Sequence, residues 1–326
     1  MTEILVDIAI CTYNRASYVA NALRLLLPQL PVDGRVGVMV VDNNCSDDTA
    51  TQVATLQQQW PLLRYERCRV QGLGHARNHA LAATSAPWLA FLDDDAEPAD
   101  DWVAQLLRLI DDGQFDAFGG VYYAWFAEGQ VPWFKPHYAS NDSVVAQGDE
   151  FRLTSGYFSG GIAAYRAELL RQAGGFPTSL GMHGVAIGYG EETAAQRRMA
   201  IAGGRLGFSR RWTMRHLVPL RKQRWQWEWQ RQFALGRDFW AIFDKPAQPA
   251  TLWLYLKIEV RQCLQVTGEA LRRFWQQGRW QNLAFETARW ARSPGLVWGY
   301  RGRRLSARQH AAQFSGADST GKKGPQ

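Results

Sequence analysis

The alternation of apolar segments with segments of helical periodicity constrains the fold of this chain more than any other feature of its sequence. Residues 4–10, 35–41, 62–67 and 88–92 form short apolar runs of the kind that make buried strands. Helices are predicted around them, at 17–27, 46–59 and 72–84. Strands that alternate with helices in this way form a mostly parallel sheet that is covered on both faces. The predicted fold class is therefore α/β.

The rest of the 326 residues adds further strands and a long helical region. Strands are also predicted at 115–123, 162–166 and 205–214, and helices at 167–173 and 191–202. From 220 to 310 the pattern is helical, whereas the polar residues 311–326 are predicted to be a disordered tail. The length suits one large α/β domain with an appendage, or two domains.

The net charge of +7 hides an asymmetry between the two ends of the chain. Residues 1–204 contain 14 Lys and Arg against 23 Asp and Glu, whereas residues 205–310 contain 21 against 6. The basic part also holds ten of the fifteen Trp residues, and there Trp and Phe alternate with Arg224, Arg231 and Arg237. This composition suits an anionic surface. Three roles are open for the extension: contact with an anionic membrane surface, packing against the first part, or self-association into a homo-oligomer. Binding of nucleic acid is not expected, because no recognised binding motif is present.

The cysteines and the apolar windows bear on the compartment. The four cysteines include no CxxC pair, and Cys11 and Cys45 lie in or just after apolar runs, so free thiols in a reducing, cytoplasmic compartment are expected. The N-terminus lacks a basic segment followed by a long apolar stretch, and no window reaches about 18 uninterrupted apolar residues. A signal peptide and a spanning helix are therefore not expected. Any membrane contact would be peripheral, at the inner face of the cell membrane.

Polar clusters follow three of the apolar runs at the points where the strands end. They are Thr12 to Arg15, Asp42 to Asn44 and Asp93 to Asp95. Ligands of such sheets gather at the carboxyl ends of strands, so the clusters are expected to share one crevice. In the last cluster, carboxylates on either side of a central residue can face one hard cation, and oxygen ligands favour Mg²⁺ or Mn²⁺ over zinc. The alternative is a solvated acidic turn before a helix that starts near 98–102.

The order of these motifs resembles family 2 glycosyltransferases, which are inverting enzymes of the nucleotide-diphospho-sugar transferase (GT-A) fold. The matching segments are residues 10–15 (ICTYNR), 40–49 (VVDNNCSDDT), 72–78 (GLGHARN), 91–95 (FLDDD), 159–161 (SGG) and 190–193 (GEET). The resemblance covers about residues 1–216. It implies a GT-A domain at 1–219, with nucleotide-sugar binding in 1–100 and the acceptor side in 101–219. The basic, Trp-rich helical extension at 220–310 follows, and then the tail at 311–326.

The resemblance also implies roles for individual residues in binding the nucleotide sugar. The residues placed around the base and phosphates are Thr12, Tyr13, Asn14, Arg15, Asp42, Asn44 and Arg77, with Asp42 at the edge of the base and Arg77 near the base or the diphosphate. The chemistry agrees, because a carboxylate accepts from a ring N–H, an aromatic ring stacks on a base and arginine pairs with phosphate. Two structural alternatives stay open: Thr12 could cap a helix, and Tyr13 could belong to the core.

A divalent cation, Mn²⁺ or Mg²⁺, is the cofactor that the DxD carboxylates imply. Asp95 is the expected ligand of the cation. Asp93 would contact the ribose, or the metal through water. Asp94 could take the place of either, because three consecutive acidic residues leave open which two are the DxD carboxylates. His216 ends the last strand and would reach the metal or the diphosphate, since a neutral imidazole is a competent ligand for Mn²⁺.

The general base of an inverting transfer is expected to be a carboxylate that lies opposite the leaving diphosphate. Members of the family usually carry Glu-Asp where this chain has Glu191 and Glu192. The second position aligns with Glu192, but the assignment stays open between the two, and a pair that only stabilises the helix dipole is the alternative. Gly160 and Gly161 would let the backbone approach the donor sugar or the diphosphate closely.

The predicted function is inverting transfer of a sugar from a nucleotide-diphosphate sugar to a hydroxyl of a glycan or lipid-linked acceptor in polysaccharide biosynthesis. UDP is the expected nucleotide, followed by dTDP and GDP. One alternative is a catalytically silent protein that binds nucleotide sugars or serves as a scaffold. The other is a sugar-phosphate nucleotidyltransferase, which usually needs a glycine-rich loop after the first strand, where this chain has Thr12 to Arg15.

Overall fold

A computed structural model of the chain describes residues 3–142 and 148–317 and divides it into two compact units. Unit 1 is Met1–Gln223 and unit 2 is Arg224–Gln326. The division falls after Gln223, where the sequence predicted a boundary after residue 219. The 3-10 turn Leu220–Gln223, which follows the last strand, therefore belongs to unit 1.

Unit 1 consists of a nine-stranded sheet with helices. Its strands are β1 (Val6–Thr12), β2 (Val36–Asp42), β3 (Leu63–Arg67), β4 (Trp88–Leu92), β5 (Ala96–Pro98), β6 (Ala117–Trp125), β7 (Glu150–Arg152), β8 (Ile162–Arg166) and β9 (Leu206–Leu217). Its helices are α1 (Ala16–Leu26), α2 (Thr49–Gln57), α3 (Leu73–Ala83), α4 (Trp102–Asp111), α5 (Ala167–Gln172) and α6 (Glu191–Ile201). The long strands lie where the apolar runs predicted them, whereas the three-residue strands β5 and β7 were not predicted.

The sheet is parallel in its N-terminal half and mixed beyond it. The strand order is β3-β2-β1-β4-β8-β6-β9-β5, with β7 also paired to β9. The first four strands of this order are mutually parallel, β8 is antiparallel to β4 and β6, and β6 is parallel to β9. The carboxyl ends of β1, β2 and β4 therefore lie at one edge of the sheet, as the polar clusters required.

A hydrophobic core covers each face of the sheet. Alternate residues of a strand point to opposite faces. On β1, Ile8 and Ile10 pack in one buried cluster with residues of α1 and α4, while Ala9 packs in the other with residues of α3, α5 and α6. The prediction of a sheet covered on both sides is confirmed, and the cores hold the loops at the strand ends in place.

A bulge in β9 sets the position of the last residues of this strand. Along the β6–β9 pair the register shifts between Gly120 and Val121, whose partners are Ser209 and Thr213. Three residues, 210–212, thus have no partner on β6 within this ladder. Trp212, the last of them, is fully buried, and its indole N–H donates to the carbonyl of Trp102 at 3.1 Å. Beyond the bulge, β9 pairs with β5.

Unit 2 is helical, as predicted. Its helices are α7 (Trp225–Ile242), α8 (Pro249–Gln277), α9 (Trp280–Glu286) and α10 (Arg292–Ala317). Helices α7 and α10 pack closely through glycine, because a Cβ on Gly295 would lie 2.2 Å from the carbonyl oxygen of Phe233. Among the residues that the structure describes, no helix is long and apolar enough to cross a membrane.

The predicted tail begins later than residue 311. Helix α10 continues to Ala317, so residues 311–317 are helical. The residue types explain this, since Ala311, Ala312 and Gln313 are good helix formers and the first proline after them is Pro325. The remainder of the predicted tail, 318–326, lies outside the described residues.

Candidate active site and metal cluster

The carboxylates that follow β4 meet the end of β9 at the edge of the sheet. Ala96, the first residue of β5, pairs with His216 on β9. The backbone N–H of Asp93 donates to the carbonyl oxygen of Gly161 at 3.0 Å, which fixes the turn after β4. His216 is thus placed beside the acidic turn by strand pairing, although 120 residues separate it from Ala96.

Asp93, Asp95 and His216 form a cluster that fits a divalent cation. One potential ligand atom from each lies within 4.8 Å of the others. His216 Nε2 is 3.2 Å from Asp95 Oδ1 and 3.8 Å from Asp93 Oδ2. Two carboxylates and one imidazole suit Mn²⁺, and this set of donors also admits Mg²⁺. These are the three residues that the sequence predicted as ligands.

The surroundings keep Asp95 ionised. Burial alone would raise the pKa of this carboxyl, but His216 opposes it by charge and hydrogen bond, and Lys222 and Arg15 add positive charge. The pKa of Asp95 therefore lies well below its ordinary value. An anionic oxygen is the form that ligates a cation, so the residue is held ready for this role.

The Asp94 side chain is hydrogen-bonded within the protein and is not part of the cluster that fits a cation. Its Oδ2 accepts a hydrogen bond from the Thr12 hydroxyl at 2.8 Å, and its Oδ1 accepts from Arg15 Nη1 at 2.8 Å. Burial raises its pKa to about 6, although Arg15 opposes this. The expectation that Asp94 could exchange with Asp93 or Asp95 is therefore not supported. Thr12 is buried behind the site, where it orients Asp94.

Arg15 joins the β1 loop to the acidic turn. Besides Asp94, its Nη1 donates to Asp95 Oδ2 at 2.9 Å. The charge of Asp94 raises the pKa of Arg15 above its already high value, so the guanidinium stays charged. The sequence predicted that Arg15 contacts the nucleotide phosphates, and in the structure its guanidinium lies beside the acidic turn.

Lys222 is a further cation that sequence reasoning missed. It lies in the 3-10 turn Leu220–Gln223, and its charge acts on Asp95 and Asp93. Burial lowers its pKa, against the opposing effect of these carboxylates. In the sequence it is one basic residue among many near the start of the extension, and only its position after β9 could have signalled a role.

Arg77 forms a buried ion pair with the candidate bases. Its Nη1 lies 2.7 Å from Glu191 Oε1 and 3.9 Å from Glu192 Oε2. The guanidinium also lies 5.5 Å from the ring centroid of Phe91 and 5.6 Å from that of Phe176. Arg77 was expected near the base or the diphosphate. The structure instead makes it the counter-ion that holds the start of α6 against α3.

Exposure separates the two glutamates. The side chain of Glu191 is 4% exposed, whereas that of Glu192 is 21% exposed. Burial raises the pKa of Glu191 to about 8, the charge of Glu192 adds to this, and Arg77 opposes it. A raised pKa suits a general base. The contact with Arg77 occupies Glu191, however, and leaves Glu192 as the carboxylate that is open to an acceptor.

Two of the residues predicted at the base, Asp42 and Asn14, are hydrogen-bonded to other residues of the protein. Asp42 accepts hydrogen bonds from the Tyr65 hydroxyl and from the Cys45 backbone N–H. The Asn14 side chain accepts from the Ser46 backbone N–H at 2.7 Å, which joins the loops after β1 and β2. Asn14 and Asn44 both have positive φ, 51° and 65°, a conformation that asparagine tolerates. Tyr13, in the loop after β1, is half-buried.

Gly160 and Gly161 leave space for charged side chains. A Cβ at Gly160 would lie 2.5 Å from Arg77 Nη1, and one at Gly161 would lie 2.0 Å from Asp93 Oδ2. The sequence predicted that these glycines admit the ligand. The structure shows another reason for glycine at these two positions, because a larger side chain would collide with Arg77 or Asp93.

We expect Gly161→Ala to weaken binding of Mn²⁺ about 10- to 100-fold, as changes beside metal ligands typically do. The added methyl group must displace the Asp93 carboxylate, because no atom pair tolerates the 2.0 Å approach. Titration calorimetry with Mn²⁺ measures the effect. Gly302→Ala is the matched control, since a Cβ there meets no atom within 4 Å. Equal affinity of both variants would contradict the role of Asp93 as a ligand.

Comparisons with known proteins agree with the geometry. Residues 7–174, slightly more than half of the chain, match the family described as Glycosyl transferase family 2. The succinoglycan biosynthesis protein ExoM of Rhizobium meliloti (strain 1021) is 28% identical over 245 residues, which cover 74% of this chain and 76% of that protein. The GalNAc(5)-diNAcBac-PP-undecaprenol beta-1,3-glucosyltransferase of Campylobacter jejuni is 28% identical over 115 residues, which cover 35% of this chain and 37% of that protein.

A solved structure shares the architecture. The mannosyltransferase PcManGT from Pyrobaculum calidifontis, solved in complex with GDP-Man and Mn²⁺, superposes with a TM-score of 0.61 at 20% sequence identity. The alignment covers 91% of this chain and 88% of that one. It confirms the predicted GT-A fold with a helical C-terminal region. Together with the match over residues 7–174, the order of motifs shows that the chain belongs to glycosyl transferase family 2.

Proposed function

We propose that this chain is an inverting, metal-dependent enzyme that moves a sugar from a nucleotide-diphosphate sugar to a hydroxyl of a glycan or lipid-linked acceptor. The observation that carries the proposal is the cluster of Asp93, Asp95 and His216 at the carboxyl edge of the sheet. A polysaccharide product is supported by the similarity to a succinoglycan biosynthesis protein, and a lipid-linked acceptor by the similarity to an undecaprenol-dependent glucosyltransferase. We take UDP as the nucleotide, followed by dTDP and GDP.

The leaving diphosphate would lie among positive charges. A divalent cation held by Asp93, Asp95 and His216 would neutralise charge on the departing nucleoside diphosphate. Arg15 keeps its charge beside Asp94 and Asp95. Positive charge fixed in advance by the protein stabilises a leaving group without reorganisation at the moment of reaction.

Glu192 would remove the proton from the acceptor hydroxyl. It lies in the first turn of α6 and is the more exposed of the two glutamates. The neighbouring Glu191 is tied to Arg77 and sets the position of the helix start. Deprotonation by a positioned carboxylate typically contributes about 10² to 10⁴ in rate.

The alternatives have less support. A silent binding protein would need no partly exposed carboxylate in the first turn of α6, yet Glu192 supplies one. A nucleotidyltransferase would need a glycine-rich loop after β1, and the chain has Thr12 to Arg15 there, with Arg15 and Thr12 bound to Asp94. With a lipid-linked acceptor, the enzyme would work at the inner face of the cell membrane.

We expect nucleoside diphosphates to stabilise the protein only in the presence of Mn²⁺ or Mg²⁺. A ligand at 100 times its Kd contributes about 2.7 kcal/mol, which for a chain of this size raises the Tm by roughly 4 °C. Thermal-shift measurements with UDP, dTDP and GDP, each with and without Mn²⁺, identify the nucleotide. Equal stabilisation without metal would contradict the cation site. Release of nucleoside diphosphate from a panel of donors then separates an enzyme from a scaffold, which would bind donor without turnover.

A further inference from the structure

Helix α8 in unit 2 carries an exposed apolar stripe. Its large apolar side chains include Trp253 and Trp275, which are 64% and 83% exposed, and Leu264, which is 60% exposed. Val260 and Leu271 are exposed as well, at 37% and 41%. At 100° per residue these five positions fall within a sector of about 60° on the helix surface. The stripe therefore runs along one line of the helix, over about 33 Å between the two Trp residues.

Basic side chains lie within the stripe and along one edge of it. By the same helical spacing Lys257 falls inside the apolar sector, and Arg261 and Arg272 fall at its edge. All three are exposed. Further apolar side chains, Leu254 and Ile258, lie on the same side and are 55% and 42% exposed. The surface thus combines Trp, aliphatic and basic side chains, a mixture that lies flat in the interface of a bilayer.

Three basic side chains of α8, those of Lys257, Arg261 and Arg272, are not neutralised within the described part of unit 2. All six acidic residues between 224 and 317 form ion pairs with arginines, as in Glu259 with Arg289 at 2.7 Å and Glu286 with Arg273 at 2.9 Å. None of the ion pairs among the described residues involves Lys257, Arg261 or Arg272. These three cations are available to an anionic partner, and the charge complementarity selects anionic lipid.

The structure also bears on which arginines could contact an anionic surface. The sequence pointed to Arg224, Arg231 and Arg237, of which the last two lie on α7. Arg231 pairs with Glu228 at 2.9 Å and Arg237 pairs with Asp238 at 2.7 Å, so both are compensated inside the unit. The exposed apolar stripe and the uncompensated charges coincide on α8 instead.

We propose that the exposed face of α8 binds the surface of a bilayer that contains anionic lipid. The Trp and aliphatic side chains enter the boundary between head groups and acyl chains, and Lys257, Arg261 and Arg272 contact the anionic head groups. A second copy of the chain fits this surface less well, because Lys257 lies within the apolar sector and two identical faces would bring like charges together. The inference stands apart from the proposed function, since it uses no residue of the catalytic site.

We expect the full-length protein to sediment with vesicles of phosphatidylglycerol and phosphatidylcholine but not with pure phosphatidylcholine. High salt should release much of the bound protein, since screening weakens the surface attraction. The double variant Arg261→Gln/Arg272→Gln should bind about 30-fold more weakly, because each basic residue near such a surface contributes about a fivefold step. Leu264→Gln/Leu271→Gln should also bind at least about tenfold more weakly.

Matched variants in unit 1 control for charge and apolarity. Arg24→Gln/Arg152→Gln removes two exposed charges, and Val32→Gln/Ile201→Gln removes two exposed aliphatic side chains. Both should bind vesicles like the wild type. Circular dichroism and the Tm check that each variant is folded, and binding of nucleoside diphosphate with Mn²⁺ reports on the catalytic site independently.

Three outcomes would overturn the inference. The wild type would stay in the supernatant with anionic vesicles at low salt, or the α8 variants would bind no more weakly than the unit 1 variants. The third is a dimer in sedimentation velocity that Leu264→Gln/Leu271→Gln disperses, which would make the stripe a contact between copies. Loss of vesicle binding with intact nucleotide binding would leave the proposed function untouched.

Discussion

Asp95→Asn is expected to reduce metal-dependent turnover of the donor at least about 1,000-fold, in line with loss of a group that stabilises the transition state electrostatically. The asparagine keeps the volume but removes the negative charge of the carboxylate, whose Oδ1 lies 3.2 Å from His216 Nε2 and whose Oδ2 lies 2.9 Å from Arg15 Nη1. The cation would then be held by Asp93 and His216 alone. Release of nucleoside diphosphate at saturating Mn²⁺ measures turnover, and calorimetry measures the affinity for Mn²⁺.

The control for this substitution lies five residues further along the chain. Asp100→Asn makes the same chemical change at an exposed position before α4, and it should leave both measurements unchanged. The Tm of each variant shows whether the fold is intact. Turnover of Asp95→Asn at the rate of the wild type would remove Asp95 from the cation site.

Glu192→Gln is expected to keep donor binding and to lower transfer to the acceptor by about 100-fold or more. The substituted side chain would retain its size and lose the ability to take a proton. The neighbouring substitution Glu191→Gln should reduce transfer less but lower stability more. It leaves the buried guanidinium of Arg77 with Glu192 at 3.9 Å as its nearest anionic partner, at a cost of about 1–3 kcal/mol.

Two measurements separate these effects. Release of diphosphate in the presence of acceptor reports on transfer, and the Tm reports on the ion pair. For Glu192→Gln we expect transfer to fall and the Tm to stay unchanged. For Glu191→Gln we expect a smaller loss of transfer and a lower Tm. If Glu191→Gln abolishes transfer while Glu192→Gln retains it, the general base is Glu191, and its raised pKa would then be the reason.

Much of the catalytic unit follows from the apolar periodicity. The predicted limits of β4 and β8 equal the observed ones, because each is a short buried run between a turn and a polar cluster. The strands β5 and β7 could not be predicted, since three residues carry no period and their pairing depends on β9. The resemblance to the family implied that Asp93, Asp95 and His216 reach one cation, and the structure brings these three side chains together.

The internal contacts of the site were not accessible in the same way. Nothing in three consecutive aspartates shows that the middle one turns to Thr12 and Arg15. The pairing of Arg77 with Glu191 joins residues that are 114 positions apart. Such contacts depend on how α3 and α6 pack, and packing is decided by the whole sheet. The exposed apolar face of α8 was likewise hidden, because composition shows that Trp and Arg are abundant but not which of them stay exposed.

The number of residues in the bulge at 210–212 decides whether the side chain of His216 faces Asp95. Side chains of a strand alternate between faces, so loss or gain of one residue there would turn His216 away from Asp95. A change of two residues would keep the face but move the imidazole by about 6.5 Å, beyond the reach of the cation. We therefore expect this stretch to be closed to insertion and deletion. Among homologues, alignment gaps should avoid it as strictly as they avoid the acidic turn itself.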